Sequence, residues 1–131
     1  MRFLLDTNTL IALFNQRSTA LLAHLKSHHP SEIVVSSIVM HELYYGAYKS
    51  QRVAVNLQRV DSLPFEVIAF DKEDAICAGE IRANLALAGL PIGPLDTLIA
   101  GQAKARGFTL VSNNTQEFSR VAHLSLVDWL S

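Results

Sequence analysis

The fold follows from one short stretch, Phe3-Leu4-Leu5-Asp6-Thr7-Asn8, in which an apolar run leads directly into a carboxylate. An α/β enzyme commonly uses such a strand to present an acid at the C-terminal edge of a parallel sheet, where ligands usually bind. The stretch therefore predicts a first strand over residues 2–5 and marks Asp6 as the first candidate functional residue.

The rest of the chain alternates short apolar runs with helical patterns. Further strands are predicted at residues 33–35, 65–69, 109–111 and 124–127. Helices are predicted at residues 10–14, 20–28, 38–48, 52–60, 72–88 and 96–107. We expect Ser37 to cap the third of these helices, Asp71 and Asp74 to form a capping box, and Gly89 to follow the fifth helix. This alternation predicts one α/β domain over residues 1–131, with a parallel sheet covered by helices on both faces.

Composition narrows the class of protein. Half of the 131 residues are hydrophobic and 18% are charged, which excludes a disordered chain and allows a substantial core. No apolar run approaches the roughly 20 residues that cross a bilayer, and Asp6 interrupts any signal-peptide core. The lone Cys77 forms no disulfide within the chain, so we expect a reducing, cytoplasmic location. A net charge of -1 argues against nucleic-acid binding by bulk positive charge.

Two more acids stand in surroundings that do not suit a solvated charge. Glu42 lies in a helical segment rich in Ile, Val, Leu and Tyr, and Gly46, one turn later, is expected to permit a close approach. Asp96 follows a rigid Gly-Pro turn and begins a helix that is nearly free of charge. With Asp6 they form the candidate acidic site.

Each acid also has a purely structural interpretation. Asp6 could cap the next helix, although Thr7 and its neighbours could do so equally well. Glu42 could be an exposed side chain that pairs with Lys49 or Arg52, worth less than about 1 kcal/mol. Asp96 could simply gain about 0.3–1 kcal/mol from the dipole of its helix.

Taken together, the three acids favour a divalent-metal site. Carboxylates 4 Å apart repel by about 4 kcal/mol per pair at an effective dielectric of 20, and a cation removes that cost. Oxygen ligands favour Mg²⁺, or Mn²⁺ in its place, and the chain has no Cys/His cluster with zinc spacing. His28 and His29 are expected at the surface end of a helix rather than as ligands. Such a metal would activate water and neutralise charge on a phosphate.

Four motifs resemble the PIN-domain ribonucleases, and in particular the VapC-type toxins of bacterial toxin–antitoxin modules. They are, in order, Leu4-Leu5-Asp6-Thr7-Asn8, Ser37-Ile38-Val39-Met40-His41-Glu42-Leu43-Tyr44-Tyr45-Gly46, Pro91-Ile92-Gly93-Pro94-Leu95-Asp96, and Leu110-Val111-Ser112-Asn113-Asn114 with Glu117-Phe118. The similarity runs to Asp128-Trp129 and covers nearly the whole chain.

The resemblance implies a three-layer α/β/α PIN-like domain with Mg²⁺-dependent endoribonuclease activity. Asp6, Glu42 and Asp96 match the family's metal-binding, catalytic acids. Asn114 occupies the place where the family often has a fourth acid, Glu117 is the candidate substitute, and Asn8 would position an acid or a water molecule. The number of metal ions is left open.

The resemblance also implies partners. Such toxins usually form homodimers, are blocked by a small VapB-like antitoxin, and reach operator DNA only through the antitoxin complex. Toxins with a similar Gly-Pro-x-Asp loop and Asn-Asn turn cut transfer RNA, and the implied target is the anticodon stem-loop of initiator tRNA. No membrane partner is implied.

Two alternatives remain at this point. A haloacid-dehalogenase-type phosphatase also has an acid after its first strand, but it needs a second Asp where this chain has Asn8. A non-catalytic PIN-like domain that binds RNA or protein is the other, and the retention of all three acids speaks against it.

Overall fold

A computed structural model describes all 131 residues and contains one five-stranded parallel sheet in the order β3-β2-β1-β4-β5. The strands are β1 (Phe3–Leu5), β2 (Ile33–Ser36), β3 (Glu66–Ile68), β4 (Thr109–Val111) and β5 (Leu126–Val127). Helices flank the sheet, so the predicted α/β/α architecture is confirmed. The chain leaves β1 on one side toward β2 and later returns to its other side as β4, and a crevice forms where strand order reverses in this way.

Seven α-helices connect these strands. They are α1 (Thr7–Phe14), α2 (Thr19–Lys26), α3 (Ser37–Tyr48), α4 (Val53–Asp61), α5 (Lys72–Leu87), α6 (Pro94–Arg106) and α7 (Thr115–Phe118), with a 3-10 turn at Pro30–Glu32. The capping box of Asp71 and Asp74 is confirmed, and Gly89 follows α5 with φ +72°. No helix combines the length and apolar composition that a membrane crossing requires.

The structure differs from the sequence prediction at several helix starts, including that of α6 at Pro94 rather than Asp96. Ser36, not Ser37, caps α3 by accepting a hydrogen bond from the Ile38 backbone, while the Ser37 hydroxyl accepts from the backbone N–H of Phe70. Helix α1 begins at Thr7 rather than at residue 10, because Asp6 caps it. Helix α7 was not predicted, since four residues are too few to show a helical period.

The central strands form the core. The side chains of β1, β2 and β4 are covered on both faces, as parallel strands between helical layers require. The completely buried apolar residues among them are Leu4, Leu5, Val34, Val35, Leu110 and Val111. The core therefore holds rigid the strands whose C-terminal ends carry the candidate site.

Helices α5 and α6 pack closely because of a glycine. A Cβ on Gly101 would lie 2.5 Å from the Cα of Ala78, so only glycine allows this approach. The expectation that Gly46 permits a close approach was wrong, since a Cβ there would meet nothing within 4 Å.

A buried carboxylate also fixes α6 against α5. Asp74 is fully buried and accepts hydrogen bonds of 2.9 Å from Arg106 and from Gln102. Burial acts to raise the pKa of Asp74, but the hydrogen bonds from Arg106, the Asp71 backbone and Gln102 outweigh it and lower that pKa below its ordinary value. Helix α6, whose first turn carries Asp96, is thus anchored at its far end.

The histidines at the end of α2 are not all on the surface. His28 stacks against Trp129, with ring centroids 5.2 Å apart, while His29 is exposed and caps the 3-10 turn. The expectation of a surface position holds for His29 but not for His28, which is partly covered by its aromatic neighbour.

Candidate active site

Acidic side chains gather beyond the C-terminal ends of β1 and β4. Asp6 directly follows β1, Glu42 lies on α3, and Asp96 stands in the first turn of α6. A fourth acid, Glu117, comes from α7, which follows β4. The negative charges of Asp6, Glu117 and Glu42 all raise the pKa of Asp96, so the four carboxylates lie near one another.

Asp6 has a structural duty as well as its place in this site. It is 4% exposed, and its Oδ1 accepts a hydrogen bond of 2.9 Å from the backbone N–H of Thr9, which makes Asp6 the N-cap of α1. Its own N–H donates to the carbonyl of Val111 on β4. The cap uses one carboxylate oxygen and leaves Oδ2 without a hydrogen-bond partner from the protein.

The Glu42 carboxylate is oriented by a hydrogen bond from a hydroxyl and not by an ion pair with a lysine or arginine. The Thr7 hydroxyl donates to Glu42 Oε1 over 2.7 Å. The structural alternative, an ion pair with Lys49 or Arg52, is wrong, because Lys49 places its Nζ 4.8 Å from the ring centroid of Tyr45 instead. From the sequence, Thr7 is only a possible helix cap, and nothing but its position next to Asp6 points to this contact.

Asp96 carries the clearest electrostatic signal in the molecule. Burial raises the pKa of its carboxyl, and the charges of Asp6, Glu117 and Glu42 raise it further, to about 6. A hydrogen bond from the Asn114 side chain acts in the opposite direction. Perturbed carboxylates of this kind concentrate at functional sites.

Asn114 interacts with one of the acids and influences another. Its Nδ2 donates to Glu117 Oε2 over 3.0 Å, and its side chain acts to lower the pKa of Asp96. Asn114 stands at the N-cap position of α7 but makes no capping bond with its side chain, so the amide is available for the bond to Glu117. Asn8, in contrast, is exposed and donates to none of the acids.

The donor set fits a hard divalent cation that keeps several water ligands. No three His, Cys, Asp or Glu side chains converge tightly enough to hold a metal ion alone, and Asp6 and Glu42 each accept a hydrogen bond on one oxygen. Mg²⁺ is usually bound in this way, through one or two carboxylates, with water completing its octahedron. The repulsion that raises the pKa of Asp96 is the cost that such a cation would remove.

A groove of about 240 Å³ adjoins the acids between α1, α3 and α4. Its wall is mainly apolar, and Glu42 stands at its margin. The lining residues are Ile11, Phe14, Asn15, Glu42, Leu43, Gly46, Ala47, Asn56, Arg59 and Val60.

Comparisons with known proteins agree with this geometry. Residues 3–124 match the PIN domain family. The chain is 39% identical to the tRNA(fMet)-specific endonuclease VapC of Salmonella typhimurium and 36% identical to ribonuclease VapC2 of Rickettsia felis, each over 98% of both chains. The crystal structure of DNA-bound VapBC from Salmonella typhimurium superposes with a TM-score of 0.93 at 39% identity, over 98% of both chains. The chain therefore belongs to the PIN-domain family and to the VapC ribonucleases within it.

Proposed function

We propose that this protein is a Mg²⁺-dependent endoribonuclease toxin that hydrolyses a phosphodiester bond in a transfer RNA and is held in check by a cognate antitoxin. One observation carries the proposal: the acids Asp6, Glu42 and Glu117, which follow β1 or lie on α3 and α7, all raise the pKa of Asp96 on α6. The whole of residues 1–131 is assigned to one PIN domain acting in the cytoplasm.

Asp6, Glu42 and Asp96 are the proposed metal ligands. When bound, Mg²⁺ would activate water and neutralise charge on the scissile phosphate. Oδ2 of Asp6 and Oε2 of Glu42 are the oxygens proposed to bind the metal. The other oxygens accept hydrogen bonds from the Thr9 N–H and the Thr7 hydroxyl. Mn²⁺ would serve the same oxygen donors.

Glu117 is the proposed fourth acid. Asn114 occupies the position where the family often has that acid, and Glu117 would take over its role. Its charge already acts on Asp96, and Asn114 holds it by a hydrogen bond. The Asn114 amide therefore positions Glu117 and Asp96 rather than binding the metal itself. Asn8, which is exposed beside Asp6, is assigned a contact to water.

Initiator tRNA, cut in its anticodon stem-loop, is the proposed substrate. The Salmonella typhimurium relative is named as specific for tRNA(fMet), and it aligns over 98% of this chain. The loop Gly93-Pro94-Leu95-Asp96 and the turn Asn113-Asn114 are the sequence features that support the same choice.

A VapB-like antitoxin is the proposed inhibitor. The apolar groove beside Glu42, with Arg59 on its wall, suits an amphipathic segment that carries an acid. The solved relatives include toxin–antitoxin complexes bound to DNA. We assign operator binding to the antitoxin in such a complex, and a homodimeric state to the toxin.

The proposal is tested by sequencing RNA ends after brief expression of the wild type, Asp6→Ala and Glu80→Gln. Glu80→Gln is the matched control, because Glu80 is an exposed acid on α5. We expect new ends in one anticodon loop for the wild type and the control, and none for Asp6→Ala. Purified wild type that binds tRNA but leaves it intact at every Mg²⁺ concentration would instead establish the non-catalytic binding domain.

A further inference from the structure

The loop that delivers Asp96 is poorly fixed by its own backbone. It joins α5 to α6 and contains Gly89, with φ +72°, and two prolines. At the α5 side the N–H of Leu90 donates to the carbonyl of Leu85 and the N–H of Gly89 to that of Ala86, and at the α6 side the carbonyl of Gly93 accepts from Thr97. Between them, Pro91 and Ile92 make no hydrogen bond to another backbone group. Ile92 packs against the core, so contacts from other segments fix this part of the loop.

Arg120 supplies that outside contact. Its Nη1 donates to the carbonyl oxygen of Pro91 over 3.1 Å, and this is the one hydrogen bond that reaches the loop from beyond the α5–α6 pair. Arg120 forms no ion pair with any acid of the protein, although it is only partly exposed. Its backbone N–H donates to the carbonyl of Glu117, so the arginine stands one turn after the fourth acid.

The same two segments meet at a second point. The Asn114 side chain donates to Glu117 over 3.0 Å and acts to lower the pKa of Asp96. Residues 114–120 thus lie beside residues 91–96, and the hydrogen bond from Arg120 to Pro91 is the direct tie between them, one turn after Glu117. Loss of this tie frees the loop to move relative to Glu117.

We propose that Arg120 is a positioning residue, which sets the separation of Glu117 and Asp96 by holding the Pro91 carbonyl. The proposal rests on the proposed function, since it assumes that these two acids serve the same metal ion. Arg120 acts through the loop and touches neither the metal nor the RNA. A guanidinium suits the task because it stays charged and offers several donors in a fixed plane.

The test compares Arg120→Ala, Arg120→Lys and Arg17→Ala, each titrated with Mg²⁺ alone in thermal unfolding and in cleavage of tRNA. Arg17→Ala is the matched control, because it removes the same charge from an exposed arginine whose side chain has no hydrogen bond. We expect Arg120→Ala to need at least tenfold more Mg²⁺ for half of its effect in both assays, as loss of a group that orients a ligand usually does. Arg120→Lys keeps one donor and should lie closer to the wild type. It also serves if Arg120→Ala fails to fold.

The outcomes separate the two proposals. An unchanged Mg²⁺ dependence in Arg120→Ala, beside a normal wild-type response, overturns the role of Arg120 alone. An equal shift in Arg17→Ala also overturns it, since the cause would be net charge. A raised KM for RNA with unchanged Mg²⁺ dependence would show that Arg120 binds the substrate instead. Wild-type protein whose melting and tRNA cleavage both ignore Mg²⁺ overturns the proposed metal site, and the role of Arg120 with it.

Discussion

Thr7 and Glu42 lie 35 residues apart in the chain and are joined by a hydrogen bond of 2.7 Å from the Thr7 hydroxyl to Oε1. The bond connects the first turn of α1 to the middle of α3. Because Asp6 precedes Thr7 and caps the same helix, the first turn of α1 sets the positions of two candidate ligands at once.

Thr7→Val should therefore weaken the ribonuclease without unfolding it. Valine keeps the branched shape but removes the donor, so Glu42 loses its orientation. We expect activity to fall about tenfold, the equivalent of about 1.4 kcal/mol, in a tRNA cleavage assay at fixed Mg²⁺. Thr7→Ser keeps the hydroxyl and should stay near the wild-type rate. Equal rates for the Val and Ser variants would contradict this role.

Substitutions of Asp6 can separate its role as the cap of α1 from its proposed role as a metal ligand. Asn caps helices as well as Asp does, and it removes a charge that acts on Asp96, so metal-free Asp6→Asn should melt at or above the wild-type temperature while losing RNA cleavage. Asp6→Ala should also lose activity, and about 1 kcal/mol of unfolding free energy relative to Asp6→Asn, because the Thr9 N–H loses its acceptor. Denaturant unfolding and cleavage assays measure both. Wild-type cleavage by Asp6→Asn would remove Asp6 from the site.

Asp96 should make the metal-free protein less stable as the pH rises. Its pKa in the folded protein, about 6, lies above the ordinary value of 3.8, so the folded state holds this proton more tightly than the unfolded chain. The resulting stability is fully present below about pH 3.8 and is lost as the pH rises through about 6. Asp96→Asn has no carboxyl to ionise at this position, so its stability does not fall in this way as the pH rises. In EDTA its melting temperature should approach that of the wild type at pH 4 and exceed it increasingly up to pH 7.

Mg²⁺ should reverse that order at pH 7, because it stabilises only the protein that retains its ligands. A difference in melting temperature between Asp96→Asn and the wild type that does not vary with pH would show that the charges of Asp6 and Glu42 do not act on Asp96 as described.

Two helical glycines should respond in opposite ways to alanine. Gly101→Ala places a Cβ 2.5 Å from the backbone of Ala78, which forces α5 and α6 apart and should cost about 1–3 kcal/mol of unfolding free energy. Gly46→Ala meets open space and should gain up to about 1 kcal/mol from helix propensity. Urea unfolding of both variants checks the pair. Similar values for the two would contradict the described packing.

Local chemistry explains which predictions from the sequence are confirmed. The capping box of Asp71 and Asp74, and the left-handed glycine after α5, depend on neighbouring residues alone, so the sequence suffices to find them. Ser36 and Ser37 could both cap α3, and only the path of the β2 strand decides between them. Strand order also depends on contacts between distant segments, so it could not be predicted.

Some residues of the candidate site can be recognised from the sequence, and others cannot. Asp6, Glu42 and Asp96 were found because each is an acid in surroundings unsuited to one. The contacts of Thr7 and Arg120 could not be predicted, because a hydroxyl or a guanidinium is ordinary at a surface and their partners lie 35 and 29 residues away. The sequence also does not reveal which helix face meets a neighbour, so it does not show that the close approach occurs at Gly101 and not at Gly46.

The place of β1 in the sheet has a consequence for biosynthesis. Its Phe3 pairs with Ile33 on one side and with Thr109 on the other, so the strand made first waits for one of the last to cover its second edge. A chain still emerging from the ribosome lacks β4 and the segment that carries Glu117. The centre of the sheet, and with it the edge that carries Asp6, can therefore be completed only when most of the chain has been synthesised.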